Sequence, residues 1–157
     1  MLRKLLFTAA LFASSTAIAA PASKFLHDAI KGDNSEMRLG RLIAQRGNSV
    51  AVRRFGNTLV ADHGTARAQA VIVAHRMGVA VPSTAMPEAV AEYNKLLHLR
   101  GHAFDREVRR YMIRDHEKDI AEFRDQARHG ERRTATLAQA QLPTLRKHLR
   151  LAESLPV

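Results

Sequence analysis

The chain has no cysteine and no tryptophan, and only two tyrosines and six phenylalanines among its 157 residues. Without cysteine there is no disulfide, no thiol nucleophile and no cysteine-ligated zinc or iron–sulfur centre. Stability must come from packing, alone or with a metal held by other side chains. The scarcity of aromatics leaves few platforms on which the bases of single-stranded nucleic acid could stack. Strand-like alternation of apolar and polar residues is missing, as is any low-complexity tract. There is also no glycine-rich phosphate loop and no glycine-flanked nucleophile. Ser49 and Ser83 fall in turn-forming sequence, so neither nucleotide cradling nor a serine triad is supported.

Long apolar runs are equally scarce. The one near the N-terminus, Leu5 to Ala13, is too short to span a bilayer and follows the basic pair Arg3 and Lys4. With the small-residue site Ala17-Ile18-Ala19 behind it, the pattern reads as a secretory signal peptide over residues 1–19, cleaved after Ala19. The absent cysteine excludes a lipoprotein. Cleavage removes two bases and no acid, so the formal charge falls from +10 to +8 and 138 residues remain. That length suits one domain with one core, expected over residues 22–155 in a periplasmic or secreted protein.

What is present is helical periodicity. Residues 22–31 form an amphipathic piece with Phe25, Leu26, Ala29 and Ile30 inside; Gly32-Asp33-Asn34 then breaks or kinks it. Asp33 and Glu36 have capping-box spacing for a second segment reaching Gly47, along which Glu36, Gly40, Ile43 and Gly47 share one line. The glycines predict close approach by a neighbouring helix. Asn48 caps a long helix over 49–77 whose stripe includes Val52, Phe55, Leu59, Ala70 and Val73, with His63 at its centre and Asp62 at its flank. Between 78 and 100 the pattern lapses, apart from a short helix opened by Pro87 and ending near Leu97. A connection this long either turns locally or runs along the bundle as a crossover, leaving the next helix antiparallel or parallel to the last one. That next helix, 101–128, ends at a C-cap glycine, Gly130. The last, 131–155, contains Pro143, which bends it or divides it at Leu142.

The helix over 101–128 carries the densest chemistry. Phe104, Val108, Met112, Ile120 and Phe123 mark its apolar face, and Asp115, His116 and Asp119 project within roughly 60° of that stripe's centre, with Asp105 near its edge. Short acidic and imidazole side chains cannot snorkel out of such a face, so they must be paired, ligated or neutralised. Counted at the helical rise from the turn at Asn48, Glu36 and His63 lie about 18 and 22 Å away. From the turn at Gly130, His116 and His148 lie about 21 and 27 Å away, about a turn apart. All four long helices thus offer an inward carboxylate or imidazole near mid-height. A mononuclear site of His63, His116 and His148 with Glu36 or Asp115 suits zinc, copper, iron or manganese better than calcium. The alternative is a metal-free hydrogen-bonded network of the same groups. A dinuclear carboxylate centre would require Glu-x-x-His on two helices, but Val60 and Leu145 stand where those glutamates belong.

Several segments in order carry a family resemblance: Glu36 with Leu39-Gly40-Arg41-Leu42; Ala61-Asp62-His63; Gly101-His102-Ala103-Phe104-Asp105; Tyr111 to Glu117; and Leu142-Pro143-Thr144-Leu145 ahead of His148. Together they resemble the exported bacterial family called domain of unknown function 4142. The resemblance covers nearly all of the mature chain. It implies an all-α, ferritin-like four-helix bundle with a long connection between helices 2 and 3, and it supplies no reaction.

Two functions from different classes follow. One is an exported bundle whose interior Glu36, His63, Asp115, His116 and His148 form a polar or metal site for metal handling or stress protection, with one transition-metal ion as cofactor. The other is a non-catalytic module that binds anionic envelope components through Arg53-Arg54, Arg109-Arg110, Arg132-Arg133 and Arg146-Lys147. Nucleic acid is disfavoured as a partner by export and by the few aromatics. The export reading has a direct check: intact mass of the periplasmic protein should correspond to a chain beginning at Ala20, and a membrane-bound chain retaining Met1 would contradict it.

Overall fold

A computed structural model describes the backbone over residues 16–156 and the side chains from residue 21 onward. Residues 1–15, most of the expected signal peptide, lie outside the described part. Five helices follow one another: α1 (Thr16–Arg46), α2 (Val50–Arg76), α3 (Pro87–Leu97), α4 (Gly101–His129) and α5 (Arg132–Glu153). No strand occurs among the described residues. None of these helices is long and apolar enough to cross a membrane.

The break expected at Gly32-Asp33-Asn34 does not occur, because those polar residues have distant partners instead of local ones. Asp33 bonds to His63 across the bundle, and the Asn34 amide donates to the carbonyls of Pro82 (3.3 Å) and Thr84 (2.9 Å). The Ser35 hydroxyl donates to Lys31 O and accepts from Met86 N. With its turn-forming groups engaged elsewhere, α1 continues through the segment. Likewise α5 is undivided at Pro143, with Leu137, Leu142 and Leu145 anchoring it in the core on both sides. Two caps also differ from expectation. Ser49, not Asn48, caps α2 by accepting from Val52 N. Gly130 has an ordinary φ of −74°, and a Cβ there would collide with Gln126, so space and not backbone handedness calls for glycine.

The long connection settles the topology. It leaves α2, is held to α1 at Asn34 and Ser35, and reaches the other end of α1, where Arg46 donates to Leu97 O. There α4 begins, beside the α1–α2 turn. Asp105 accepts from the backbone N–H groups of Asn48 (2.8 Å) and Ser49 (2.9 Å), satisfying donors that open α2. Both α2 and α4 therefore start at the same end and run parallel, while α1 and α5 return. At the far end Phe25 of α1 meets Phe123 of α4 edge-on, with ring centroids 5.1 Å apart. Of the two topologies that the sequence leaves open, the crossover is the one found, with α4 parallel to α2.

The core falls into two apolar zones. One is built from Leu39, Ile43, Leu59, Phe104, Val108 and Met112. At the other end, Leu26, Ile30, Ala70 and Ala74 pack together beside Phe123, Ala138 and Leu142. Along every long helix the apolar sequence is interrupted between these zones: Asp33 and Glu36 on α1, His63 on α2, His116 on α4 and His148 on α5, all buried.

The line of α1 glycines also does what its spacing implies. A Cβ at Gly40 would lie 2.8 Å from Gly56 O, and one at Gly56 would lie 2.4 Å from Ala44 N. Backbone meets backbone here, so no side chain can yield. At Gly32 a Cβ meets nothing within 4 Å. Urea unfolding should therefore give opposite signs: Gly56→Ala loses about 1–3 kcal/mol or more to overpacking, whereas Gly32→Ala gains up to about 1 kcal/mol from helix propensity. Equal effects would contradict the close approach of α1 and α2.

Candidate metal centre

Three imidazoles meet at the interrupted level. Their centroids lie 5.0 Å (His63–His148), 5.3 Å (His116–His148) and 6.0 Å (His63–His116) apart. One nitrogen from each falls within 4.8 Å of the other two. The offset expected between His116 and His148 closes because Cα–Cβ bonds tilt toward a helix's N-terminus. His116 leans away from the α4–α5 turn and His148 leans toward it, so Nε2 of the first comes within 3.3 Å of Nδ1 of the second. The same tilt closes the gap between Glu36 and His63, bringing Oε2 to 4.0 Å from Nε2.

The proton on each ring is fixed from outside. Met112 O, 2.9 Å from His116 Nδ1, can only accept, so Nδ1 carries the hydrogen and Nε2 presents its lone pair. Asp62 Oδ2 lies 2.8 Å from His148 Nε2 and also binds Lys147. Burial pushes the Asp62 carboxyl up, but the hydrogen bonds from Lys147 and His148 outweigh it and hold the group below its ordinary value. An ionised Asp62 accepts, so His148 Nε2–H donates and Nδ1 is a lone pair. His63 Nδ1 lies 2.9 Å from Asp33 Oδ1; donating to that carboxylate leaves Nε2 as a lone pair, and Nε2 has no hydrogen-bond partner.

Neutral His116 and His148 consequently face each other lone pair to lone pair, with no hydrogen between them. Protonating either ring would relieve this, yet burial and the neighbouring imidazoles push His116 down to about 3 and His148 to about 4. The arrangement fits a cation. Two nitrogens of a tetrahedral zinc site at about 2.0–2.1 Å from the metal lie about 3.3–3.4 Å apart, matching the His116–His148 separation. Backbone or carboxylate hydrogen bonds on the far nitrogens are the outer partners that orient metal-ligating histidines.

Carboxylates crowd one side of this cluster. Glu36 is buried with neither oxygen hydrogen-bonded, and Asp33 Oδ2 is likewise without a partner. Burial raises Glu36 well above its ordinary value, reinforced by Asp115 and Asp119 nearby; burial also raises Asp119, Asp115 and Asp33. The Tyr111 hydroxyl is buried, unpaired and pushed upward as well. A pocket of about 180 Å³ opens onto His63, lined by seven carboxyl residues, among them Asp28, Glu88 and Glu122, against one lysine, Lys118. In a chain of net charge +10 that concentration of acid is a local reversal of sign.

Of the expected residues, His63, His116 and His148 converge and Glu36 adjoins His63, while Asp115 stands beside Glu36 and outside the three-imidazole cluster. Asp33 was expected as a helix cap and is instead the partner of His63. Asp62 and Asp119 are further participants. Both were visible on the inner half of their helices, but nothing in the spacing named their partners. The arginine pairs are partly committed elsewhere: Arg53 donates to the carbonyls of Gly47 and Asn48, Arg109 to Glu153 O, and Arg110 pairs with Glu107.

Fold and site together define an all-helical bundle with an interior cluster of histidines and carboxylates. The chain belongs to the family described as domain of unknown function (DUF4142), whose family model matches residues 7–155. Among solved structures it is similar to the DUF305 fragment from Deinococcus radiodurans, with a TM-score of 0.73 and 19% identity, covering 84% of this chain and 92% of that one. At that identity the likeness extends to the fold alone. No curated protein matches the chain.

The buried groups set a pH dependence whose parts oppose. His116 and His148 are neutral when folded and protonate near 6.5 when unfolded, so between about 6.5 and 4 the unfolded state binds more protons and stability falls with falling pH. Glu36 has the reverse sign: its raised folded value favours the protonated folded state, and stability is lost as pH rises. Metal-free Glu36→Gln should therefore melt higher than wild type at pH 8, with a smaller difference at pH 5. A lower melting temperature at pH 8 would show that Glu36 is paired.

Proposed function

We propose that this protein is an exported, periplasmic or secreted bundle that binds one transition-metal ion through His63, His116 and His148, with Glu36 as the fourth ligand. The observation that carries the reading is the lone-pair confrontation of His116 Nε2 and His148 Nδ1 at 3.3 Å, with the unpartnered His63 Nε2 beside it. Glu36 is favoured over Asp115 as the carboxylate by its 4.0 Å approach to His63 Nε2. Imidazole-rich ligation suits zinc, copper or iron.

The chain's own residues explain selectivity and retention. Asp33, Asp62 and Met112 O hold the three rings in the metal-binding tautomer before any ion arrives, so little reorganisation accompanies binding. The acidic pocket attracts cations and leads them to His63, while the two apolar zones close the level from either end. A site with four protein ligands has no open position for substrate, which supports holding or handling of metal over turnover. Export is supported by the signal-peptide pattern, and by Pro21: inside the 31-residue α1 it removes a backbone hydrogen bond, but after cleavage behind Ala19 it stands in the first turn, where proline is tolerated.

Elemental analysis of protein recovered from the periplasm should find close to one zinc, copper or iron per chain. Zinc at a hundredfold excess over its Kd should stabilise wild type by about 2.7 kcal/mol in thermal unfolding. His116→Ala/His148→Ala should fold without zinc dependence. Equal zinc stabilisation of wild type and double variant would refute the reading.

A further inference from the structure

The short helix α3 is held to the bundle less firmly than the others. Of its eleven residues only Ala89, Glu92 and Leu96 are buried, and the middle one is a carboxylic acid, whereas α2, α4 and α5 each bury at least seven. Its polar ties are single contacts: Glu88 to Lys118 at 3.3 Å, Lys95 to Glu107 at 2.8 Å, Leu97 O to Arg46, and Met86 N, just ahead of it, to the Ser35 hydroxyl. Segments with so little buried apolar surface open locally, well below the free energy of global unfolding. The connection that carries α3 runs between two residues of positive φ, Gly78 (67°) and Gly101 (54°), where only glycine turns without strain. Met86, Glu88 and Ala89 at the start of α3 wall the acidic pocket that leads to His63.

We propose that α3 is a pH-sensitive lid on this pocket, latched to α4 by a shared proton between the carboxyls of Glu92 and Glu107 and lifting when that proton is lost. The proposal rests on the reading of His63, His116 and His148 as metal ligands only for what the lid admits. Glu92 is 6% exposed, its Oε1 is buried without a basic partner, and Glu107 is the side chain against it. Glu107 accepts from Arg110 and Lys95, and those bonds, Arg110's first, make it the ionised member, held down to about 2. Glu92 is the protonated member: burial, and then the Glu107 carboxylate beside it, push it up to about 7. The other charged groups on these faces are committed elsewhere. Glu88 pairs with Lys118, Arg38 of α1 lies 4.2 Å over the Tyr93 ring, Arg46 binds Leu97 O, and the buried Tyr111 hydroxyl is pushed upward and stays neutral. Between 4.5 and about 7 the closed lid keeps a proton that the open one releases, so rising pH favours opening by up to about tenfold per unit, and the effect is complete above 7.

The test follows amide hydrogen exchange of residues 86–99 in the metal-free protein at about pH 5.5 and pH 8, corrected for intrinsic exchange rates. In wild type their protection should fall by about tenfold as pH rises and stay below that of α2 throughout. Glu92→Gln, whose amide donates to Glu107 at either pH, should keep its protection to within about twofold. At pH 8 that variant should also take up Zn(II) about tenfold more slowly than wild type in stopped-flow mixing. Constant protection in wild type, the same fall in Glu92→Gln, or protection equal to that of α2 overturns the lid. Equal zinc uptake rates in the two proteins overturn its control of the pocket. A lid that opens as described in a protein that takes up no zinc refutes the histidine site and leaves the lid standing. If Glu92→Gln fails to fold, Glu107→Gln, which removes the facing charge, carries the same comparison.

Discussion

Two lone pairs directed at one another across 3.3 Å, in the middle of a helical bundle, are the constraint on which the interior depends. Neutral imidazoles ordinarily avoid this by changing tautomer. Here they cannot, because Met112 O and Asp62 each require a donor on the opposite nitrogen. The arrangement is stiff because its determinants are a backbone carbonyl and a carboxylate already tied to Lys147. A folded protein that keeps acceptors apposed in its core bears a cost, and apolar residues of similar size at these positions would pack without it. The carboxylates beside His63 deepen the same cost. Each long helix gives up an inward apolar position at one level, and those sacrifices coincide.

Much of this was legible in the sequence because helical periodicity is a strong signal. Periodicity placed all four long helices and faced Glu36, His63, His116 and His148 inward, while Pro87 marked the short helix of the connection. Direction on a helical wheel differs from height along it, however. Counting residues from the turns left His116 and His148 a turn apart, and only the lean of the side chains toward each helix's N-terminus brings them level. Asp33 shows a second limit. Asp followed three residues later by Glu has local capping spacing, and the local reading fails because both carboxyls have partners thirty or more residues away or none at all. Asp105 was recognised as ionisable and near the core, but its task, tying α4 to the turn that opens α2, depends on a contact spanning more than fifty residues. Topology was undecidable for the same reason, since Asn34, Ser35 and Arg46 guide the connection through a few side-chain hydrogen bonds with no sequence signature.

The surface and the interior divide the chain's charge. Arginine and lysine dominate the whole, yet the pocket leading to His63 is acidic. Arg53, Arg109 and Arg110 are occupied with helix ends and with Glu107, so less of the basic surface is available for anionic partners than a charge count suggests. A positive exterior around an acidic mouth repels cations at long range and draws them in at short range, where salt screens the exterior more than the pocket.

The crossover between α2 and α4 divides the molecule into two helical hairpins, each joined by a short turn. His63 belongs to the first, with Asp33 and Glu36; His116 and His148 belong to the second. Hairpins with local contacts form early in folding, while their docking waits for the long connection to close. Until then neither half holds all three imidazoles, and Asp62 and His148 remain on separate pieces. If the chain is exported unfolded and binds a metal as proposed, it meets the metals of its new compartment without a finished site, and its ion is selected only at the final step of assembly.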